Sequence, residues 1–307
     1  FSGLASVFYL IVGDIIAGVA CLSILSISLW KDNSRLFKQH VRIRKMKEVA
    51  IRYSKFPKFI MLNNFLNQFL SQTPVYILSF YFTQSIIGFY AIGLRLLTMP
   101  INLIGNAIGE VFFQSFSKNN KDKDVLLENI FKYLVLFAIP VFSFLGIFGE
   151  EIFYIFLGEE WSEAGVYAQI ITLFIFIRFI TIPSSYIMLL NEKQEYSIYL
   201  NIATLTLSSI SLVIGGLLKN VYLSFILYSL SNSLVYAVYG FGFMNYDSLS
   251  YYKIFKIFSK SFISCSPIIL ILITLKITMN TDPLQQIILS VALITLFFII
   301  ILFSNPE

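Results

Sequence analysis

Apolar runs of about 20 residues recur along nearly the whole chain, each long enough to cross the hydrocarbon core of a bilayer as a helix. No other feature limits the fold so strongly. A backbone in lipid must satisfy its own hydrogen bonds, which leaves helices or closed barrels. The runs are far too long for barrel strands, so the fold class is an all-α polytopic membrane protein. Of the 307 residues 57% are hydrophobic and only 13% charged, and the mean hydropathy is +0.80. These values lie outside the range of soluble domains. About nine transmembrane helices are predicted, near 4–30, 58–82, 86–112, 131–157, 165–190, 196–217, 221–244, 261–279 and 284–304. The chain begins with Phe1 inside an apolar run, and the expectation is that preceding helices are missing.

Charge gives a direction to this series. The connections at 31–58, 113–132, 191–195 and 245–260 carry ten, four, one and three Lys/Arg, eighteen of the 22. Lys219 and Lys276 lie on the other side. The positive-inside rule then predicts an outer N-terminus and a cytoplasmic C-terminus. The basic stretch 31–57 reads as a cytoplasmic linker lying on anionic headgroups. The segment 245–260 reads as an interfacial amphipathic helix, because Lys253, Lys256 and Lys260 alternate with Ile254, Phe255, Ile257 and Phe258. Nucleic acid is excluded as a partner, since topology alone demands this charge. Glu150, Glu151, Glu159, Glu160 and Glu163 cluster on the opposite side around Trp161, as a solvated acidic loop would.

Charges inside the spans are costly and therefore informative. An arginine at the middle of a membrane helix costs roughly 3 kcal/mol on insertion scales, and Arg95 and Arg178 both lie inside spans, Arg95 in the outer part of the third. In the third span Arg95, Asn102 and Asn106 fall within about 20° of one line. Glu110 extends that face, and Pro100 is expected to interrupt or kink the helix. The second span carries an amide ladder, Asn64, Gln68 and Gln72 at i, i+4 and i+8, beside a parallel row of Asn63, Asn67 and Ser71. Amides both donate and accept, which suits sugar hydroxyls. Arg178 is near the midplane of the fifth span, with Thr181, Pro183 and Ser185 following. Asn201, Thr204 and Ser208 in the sixth span read as a packing face. Asp14 and Glu110 are candidates for ion coupling.

The single histidine, His40, is on a loop, no phosphate-binding Gly-rich loop is present, and the two cysteines have no metal-ligand spacing. No cofactor, metal or catalytic group is therefore expected, and the chain reads as a transporter rather than an enzyme.

Several segments resemble the bacterial polysaccharide flippases. They are Gly88-Phe89-Tyr90-Ala91-Ile92-Gly93-Leu94-Arg95 with Pro100, then Glu110-Val111-Phe112-Phe113 with Ser115 and Ser117. Gly158-Glu159-Glu160-Trp161 with Ala164 to Gln169 is a third, and Arg52-Tyr53-Ser54-Lys55-Phe56-Pro57 resembles the start of that family's second bundle. The resemblance implies a two-bundle, MATE-like fold, shared with the multidrug and toxin extruders. Residues 1–30 would close the first bundle, 58–244 would form the second, and 261–307 would add two C-terminal helices. It further implies a polyprenyl-pyrophosphate-linked oligosaccharide as substrate, flipped across the bacterial inner membrane for capsule, O-antigen or exopolysaccharide assembly. A polysaccharide polymerase and chain-length machinery would be partners. Arg95, which matches the family segment directly, would meet the pyrophosphate, and Arg178 would join it on the strength of its depth in the fifth span alone. The alternatives are an ion-coupled multidrug antiporter of the same fold and a membrane-embedded glycan polymerase.

Overall fold

The computed structural model describes residues 12–13, 15–28, 30–31, 46–48, 51, 55–118, 123–191, 193, 195–247, 249–278 and 282–304. Side chains at 55–60, 106, 109–118, 123, 189–190, 247 and 302–304 are outside this description. The chain divides into two compact units, Phe1–Lys58 and Phe59–Glu307. In the first, Ile15–Ser28 is an apolar helix (α1) with its side chains exposed, Cys21 among them.

From Lys55 onward the chain is a succession of helices. They are α2 (Lys55–Tyr81), α3 (Gln84–Lys118), α4 (Lys123–Leu157), α5 (Ser162–Ile180), α6 (Ile182–Leu190), α7 (Glu195–Leu217), α8 (Val221–Asp247), α9 (Tyr251–Thr278) and α10 (Pro283–Ser304). Seven stretches among the described residues are long and apolar enough to cross a membrane, in α3, α4, α5, α7, α8, α9 and α10. The chain is an all-α polytopic membrane protein. Of the two remaining expected spans, α1 is described over only its apolar stretch. The 27-residue α2 has the length, but its row of amides lowers its hydropathy.

Two expected helices are divided differently. The fifth span is not one helix: α5 stops at Thr181 (φ −92°, ψ 4°) and α6 restarts at once. Pro183 has no N–H for the carbonyl of Phe179 and its ring crowds that group, which favours opening the helix just upstream. Hydroxyls fill the gap. Thr181 Oγ1 donates to the carbonyl of Arg178 at 3.1 Å, and Ser184 Oγ donates to that of Thr181 at 2.6 Å. Gly240 of α8 seats this elbow, because a methyl there would meet Thr181 Cγ2 at 2.5 Å. Conversely, the amphipathic segment before the eighth span is continuous with it in α9. Pro100 does not interrupt α3, which runs unbroken past it. Membrane helices tolerate an interior proline where the surrounding bundle re-satisfies the freed carbonyl, here that of Leu96.

The core lies where α3, α4, α5 and α8 meet. Tyr90, Leu97, Phe131, Val135, Phe148, Tyr167, Ile171, Ile175, Phe179 and Phe225 are fully buried there. Glycines bring α4 and α5 together: a methyl on Gly165 would lie 2.5 Å from Glu150 Cα and from the carbonyl of Gly149. Such small-residue contacts let membrane helices gain close van der Waals packing. Beside this contact α4 kinks at Phe148 (φ −108°, ψ 15°). Two side-chain donors take the carbonyl just before the kink. Gln169 Nε2 of α5 reaches Ile147 O at 3.0 Å, and Lys276 Nζ of α9 reaches it at 3.1 Å. Donors inserted into the helical ladder are a recognised source of kinks.

Helix α9 runs parallel to α4 and touches it at three levels. Lys253 pairs with Glu128 at 2.9 Å, Cys265 Sγ faces the carbonyl of Leu136 at 3.9 Å, and Lys276 pairs with Glu151. Glu151, expected in a solvated acidic loop, is thus held by a lysine from a distant span. Phe298 of α10 stacks on Phe137 of α4 at 5.5 Å.

Candidate functional site

Helix α3 presents two different sides. Tyr90, Gly93 and Leu97, at i, i+3 and i+7, are buried against the bundle, as helical spacing requires. Arg95 lies five residues from Tyr90, about 140° around the helix. Arg95 and Asn102 are both exposed on the outward side. Among the described residues no carboxylate forms an ion pair with Arg95. The side chains of Asn106 and Glu110, and all of Asp14, lie outside the described residues.

The amide ladder shares this outward character. Asn64, Gln68 and Gln72 are all exposed on α2. The parallel row behaves otherwise at Asn63, whose Oδ1 accepts from Asn201 Nδ2 of α7 at 2.7 Å. Asn201 is 3% exposed, so this pair is an interhelical bond inside the bundle. Thr204 and Ser208 continue the same packing face. Each donates its hydroxyl to the carbonyl one turn back, Leu200 and Thr204 respectively. This side-chain bonding satisfies hydroxyls in a buried helix.

Arg178 has a different setting. It is half-buried on α5, and its Cζ lies 5.9 Å from the centre of the Tyr236 ring. It is close enough to Tyr90 and Tyr228 to interact electrostatically with both, and their hydroxyls are 3.4 Å apart. Phe174 bridges the group, 5.8 Å from Tyr228 and 5.6 Å from Tyr236. Phe225 stacks on Tyr90 at 5.5 Å and lies 4.8 Å from Tyr167. Tyr167 in turn approaches Phe89, which contacts Trp161. A continuous column of rings thus descends from the acidic connection to Arg178. A guanidinium over a ring gains about 0.5–2 kcal/mol, more where water is absent. The structure therefore does not bring Arg95 and Arg178 into one contact. Arg95 faces outward from α3, and Arg178 faces the interior between α5 and α8.

This tyrosine group is absent from the sequence reading. Its signal is the spacing of Tyr228, Asn232 and Tyr236 at i, i+4 and i+8, which puts three polar groups on the face of α8 that meets α5. Asn232 is 1% exposed. Its Nδ2 donates to the carbonyl of Tyr228 at 2.7 Å, and its Oδ1 has no partner among the described residues.

A cavity of about 380 Å³ lies between α4, α5 and α9, walled by Phe142, Phe176, Phe258 and Phe262 with Ser143 and Gln169. None of the residues singled out from the sequence as a substrate or ion site lines it. Among the described residues no group of His, Cys, Asp and Glu could hold a metal ion.

Comparison with known proteins places these observations in a family. No curated protein and no solved structure matches the chain. A family model described as "Polysaccharide biosynthesis protein" matches residues 4–166, slightly more than half of the chain. That stretch contains Arg95, Asn102 and the amide ladder, while Arg178 and the tyrosines of α8 lie beyond it. The chain belongs to the polysaccharide biosynthesis protein family.

Proposed function

We propose that the chain belongs to a flippase, which carries a polyprenyl-pyrophosphate-linked oligosaccharide from the cytoplasmic to the outer leaflet of the bacterial inner membrane. The product would feed capsule, O-antigen or exopolysaccharide assembly, with polymerase and chain-length machinery acting next. One observation carries the reading: Arg95 is exposed at membrane depth on α3 without a carboxylate partner among the described residues. A cation so placed needs an aqueous cavity or an anionic ligand. Its planar fork matches two phosphate oxygens at once. Asn102 lies two turns along the same side, and the amides of α2 offer partners for sugar hydroxyls.

On this reading the lipid tail stays in the bilayer while the head group crosses by rocking of two bundles. The chain acts as a transporter rather than an enzyme, driven by an ion gradient or by removal of product outside. An organic-cation antiporter of the same architecture needs an acidic midplane, whereas the charge at that depth here is Arg178. A polymerase needs large outer domains, and the connections between the described helices on the side assigned to the outside are short.

The test is glycan display in cells carrying Arg95→Ala. Surface glycan is expected to fall at least tenfold at unchanged protein level, with partial recovery in Arg95→Lys. Normal glycan in Arg95→Ala would refute the proposal, as would drug sensitivity with intact glycan in a deletion strain.

A further inference from the structure

The exposed side of α2 is not polar alone. Taking Gln68 as the origin and turning 100° per residue, Asn64 lies at about −40°, Met61 at 20°, Gln72 at 40°, Phe65 at 60°, Tyr76 at 80° and Phe69 at 100°. All seven side chains are exposed: Met61 by 77%, Phe65 by 66%, Phe69 by 49% and Tyr76 by 60%, and Asn64, Gln68 and Gln72 as well. They share one arc of about 140°, and the opposite side carries the buried Pro74 and the bond from Asn63 to Asn201. Within the arc the amides form one stripe, from about −40° to 40°, and the rings a second stripe beside it, from about 60° to 100°. Phe65 neighbours Gln68, Phe69 neighbours Gln72 and Gln72 neighbours Tyr76, at the three- and four-residue spacings that make side chains adjacent. Phe65 and Phe69 are themselves stacked, with centroids 6.5 Å apart and planes inclined by 17°.

A second property of α2 narrows the chemistry. From Phe59 through Thr83 the chain has no Asp, Glu, Lys, Arg or His. An uncharged face that sets a row of amides beside a row of rings matches a pyranose ring. The axial C–H groups of such a ring form an apolar face that lies flat on an aromatic side chain, and its equatorial hydroxyls form a polar edge that bonds to amides. An acidic sugar fits poorly, because its carboxylate would lose water without meeting a cation. The arc from Asn64 to Tyr76 is about 18 Å long at 1.5 Å per residue, enough for several rings in line.

We infer that the Asn64–Phe65–Gln68–Phe69–Gln72–Tyr76 face of α2 is an oligosaccharide-binding strip selective for neutral sugars over uronic or other acidic ones. The inference rests on the flippase reading and adds to it the class of glycan carried. Charge recognition is left to Arg95 and the pyrophosphate, and the sugars are read by shape and hydroxyl pattern.

The experiment expresses the full protein in cells that lack their own flippase and polymerase. The cells make a lipid-linked repeat unit of neutral hexoses, or the same unit with one hexose replaced by its uronic acid. Single units ligated at the cell surface are counted. The neutral unit is expected to reach the surface at least tenfold more than the acidic one, and Gln68→Arg is expected to narrow that ratio severalfold. Phe69→Leu keeps the position apolar but removes the ring, and it is expected to lower neutral-unit export at least threefold at equal protein level. Equal export of both units would overturn the selectivity and leave the flippase reading intact. Wild-type export by Phe69→Leu would overturn the ring platform. Absence of both units, with the protein present in the membrane, would overturn the flippase reading itself.

Discussion

Replacement of Gly165 by alanine tests the packing of the bundle most directly. The added methyl would lie 2.5 Å from Glu150 Cα and from the carbonyl oxygen of Gly149, and 2.8 Å from Glu150 N. All three are backbone atoms, so no side chain can turn aside. Ordinary contact begins near 3.4 Å, which forces α4 and α5 apart by about 0.9 Å. Overpacking of this kind costs about 1–3 kcal/mol. The bond from Gln169 to the carbonyl of Ile147, now 3.0 Å, would stretch beyond range and remove about 0.6 kcal/mol more. Alanine returns up to about 1 kcal/mol through its better helix propensity, so a net loss of about 1–3 kcal/mol is expected. Thermal unfolding of the purified protein in detergent should then fall by several degrees, at about 2–4 °C per kcal/mol. Gly88→Ala is the matched control, because a methyl there meets nothing within 4 Å. It should leave stability unchanged or raise it. An unfolding temperature for Gly165→Ala at or above the wild-type value would refute the glycine-to-glycine contact.

Other expectations follow from the polar contacts. Lys276→Met leaves Glu151, whose side chain is 18% exposed, without its cation. The loss should be about 1–3 kcal/mol, with most of it regained in Lys276→Met/Glu151→Gln. Lys253→Ala should cost under about 0.5 kcal/mol, since both members of that pair are largely exposed, 49% and 40%. Thermal unfolding distinguishes the two cases. Tyr236→Leu removes the platform under Arg178 and should cost about 0.5–2 kcal/mol. Arg178→Lys should show a loss of similar size, because an ammonium does not stack as a planar guanidinium does. Cysteines introduced at Glu160 and Ser250, in a background lacking Cys21 and Cys265, should react with membrane-impermeant reagents from opposite sides, Glu160 from outside. Labelling of both from one side would overturn the orientation.

The helices were largely legible because length and hydropathy decide them. The bounds of α2, α7 and α8 lie within three residues of those read from the apolar runs. The elbow at Thr181 was not legible in detail. A proline can open a helix, as Pro183 does, or be absorbed in one, as Pro100 is, and which happens depends on the groups that its neighbours supply. Arg95 and the amides of α2 were found because a charge or an amide in an apolar run is conspicuous. The tyrosines of α8 were not, since tyrosine is common in such spans and its burial depends on what α3 and α5 place opposite. Arg178 shows the same limit: its depth was readable, but the Tyr236 ring beside it comes from a span nearly sixty residues later.

The pairing of α9 with α4 also bears on the order in which the protein is made. Glu151 and Lys276 are 125 residues apart, and chains are synthesised at about 5–20 residues per second, N-terminal parts first. Glu151 and the carbonyl of Ile147 therefore wait about 6–25 s for the lysine that completes them. During that interval the kink of α4 has only Gln169 to hold it, and a carboxylate sits on a helix already committed to the membrane. Insertion of α9 ends this exposure. The last third of the chain thus acts as a late-arriving closure for a helix laid down near the middle.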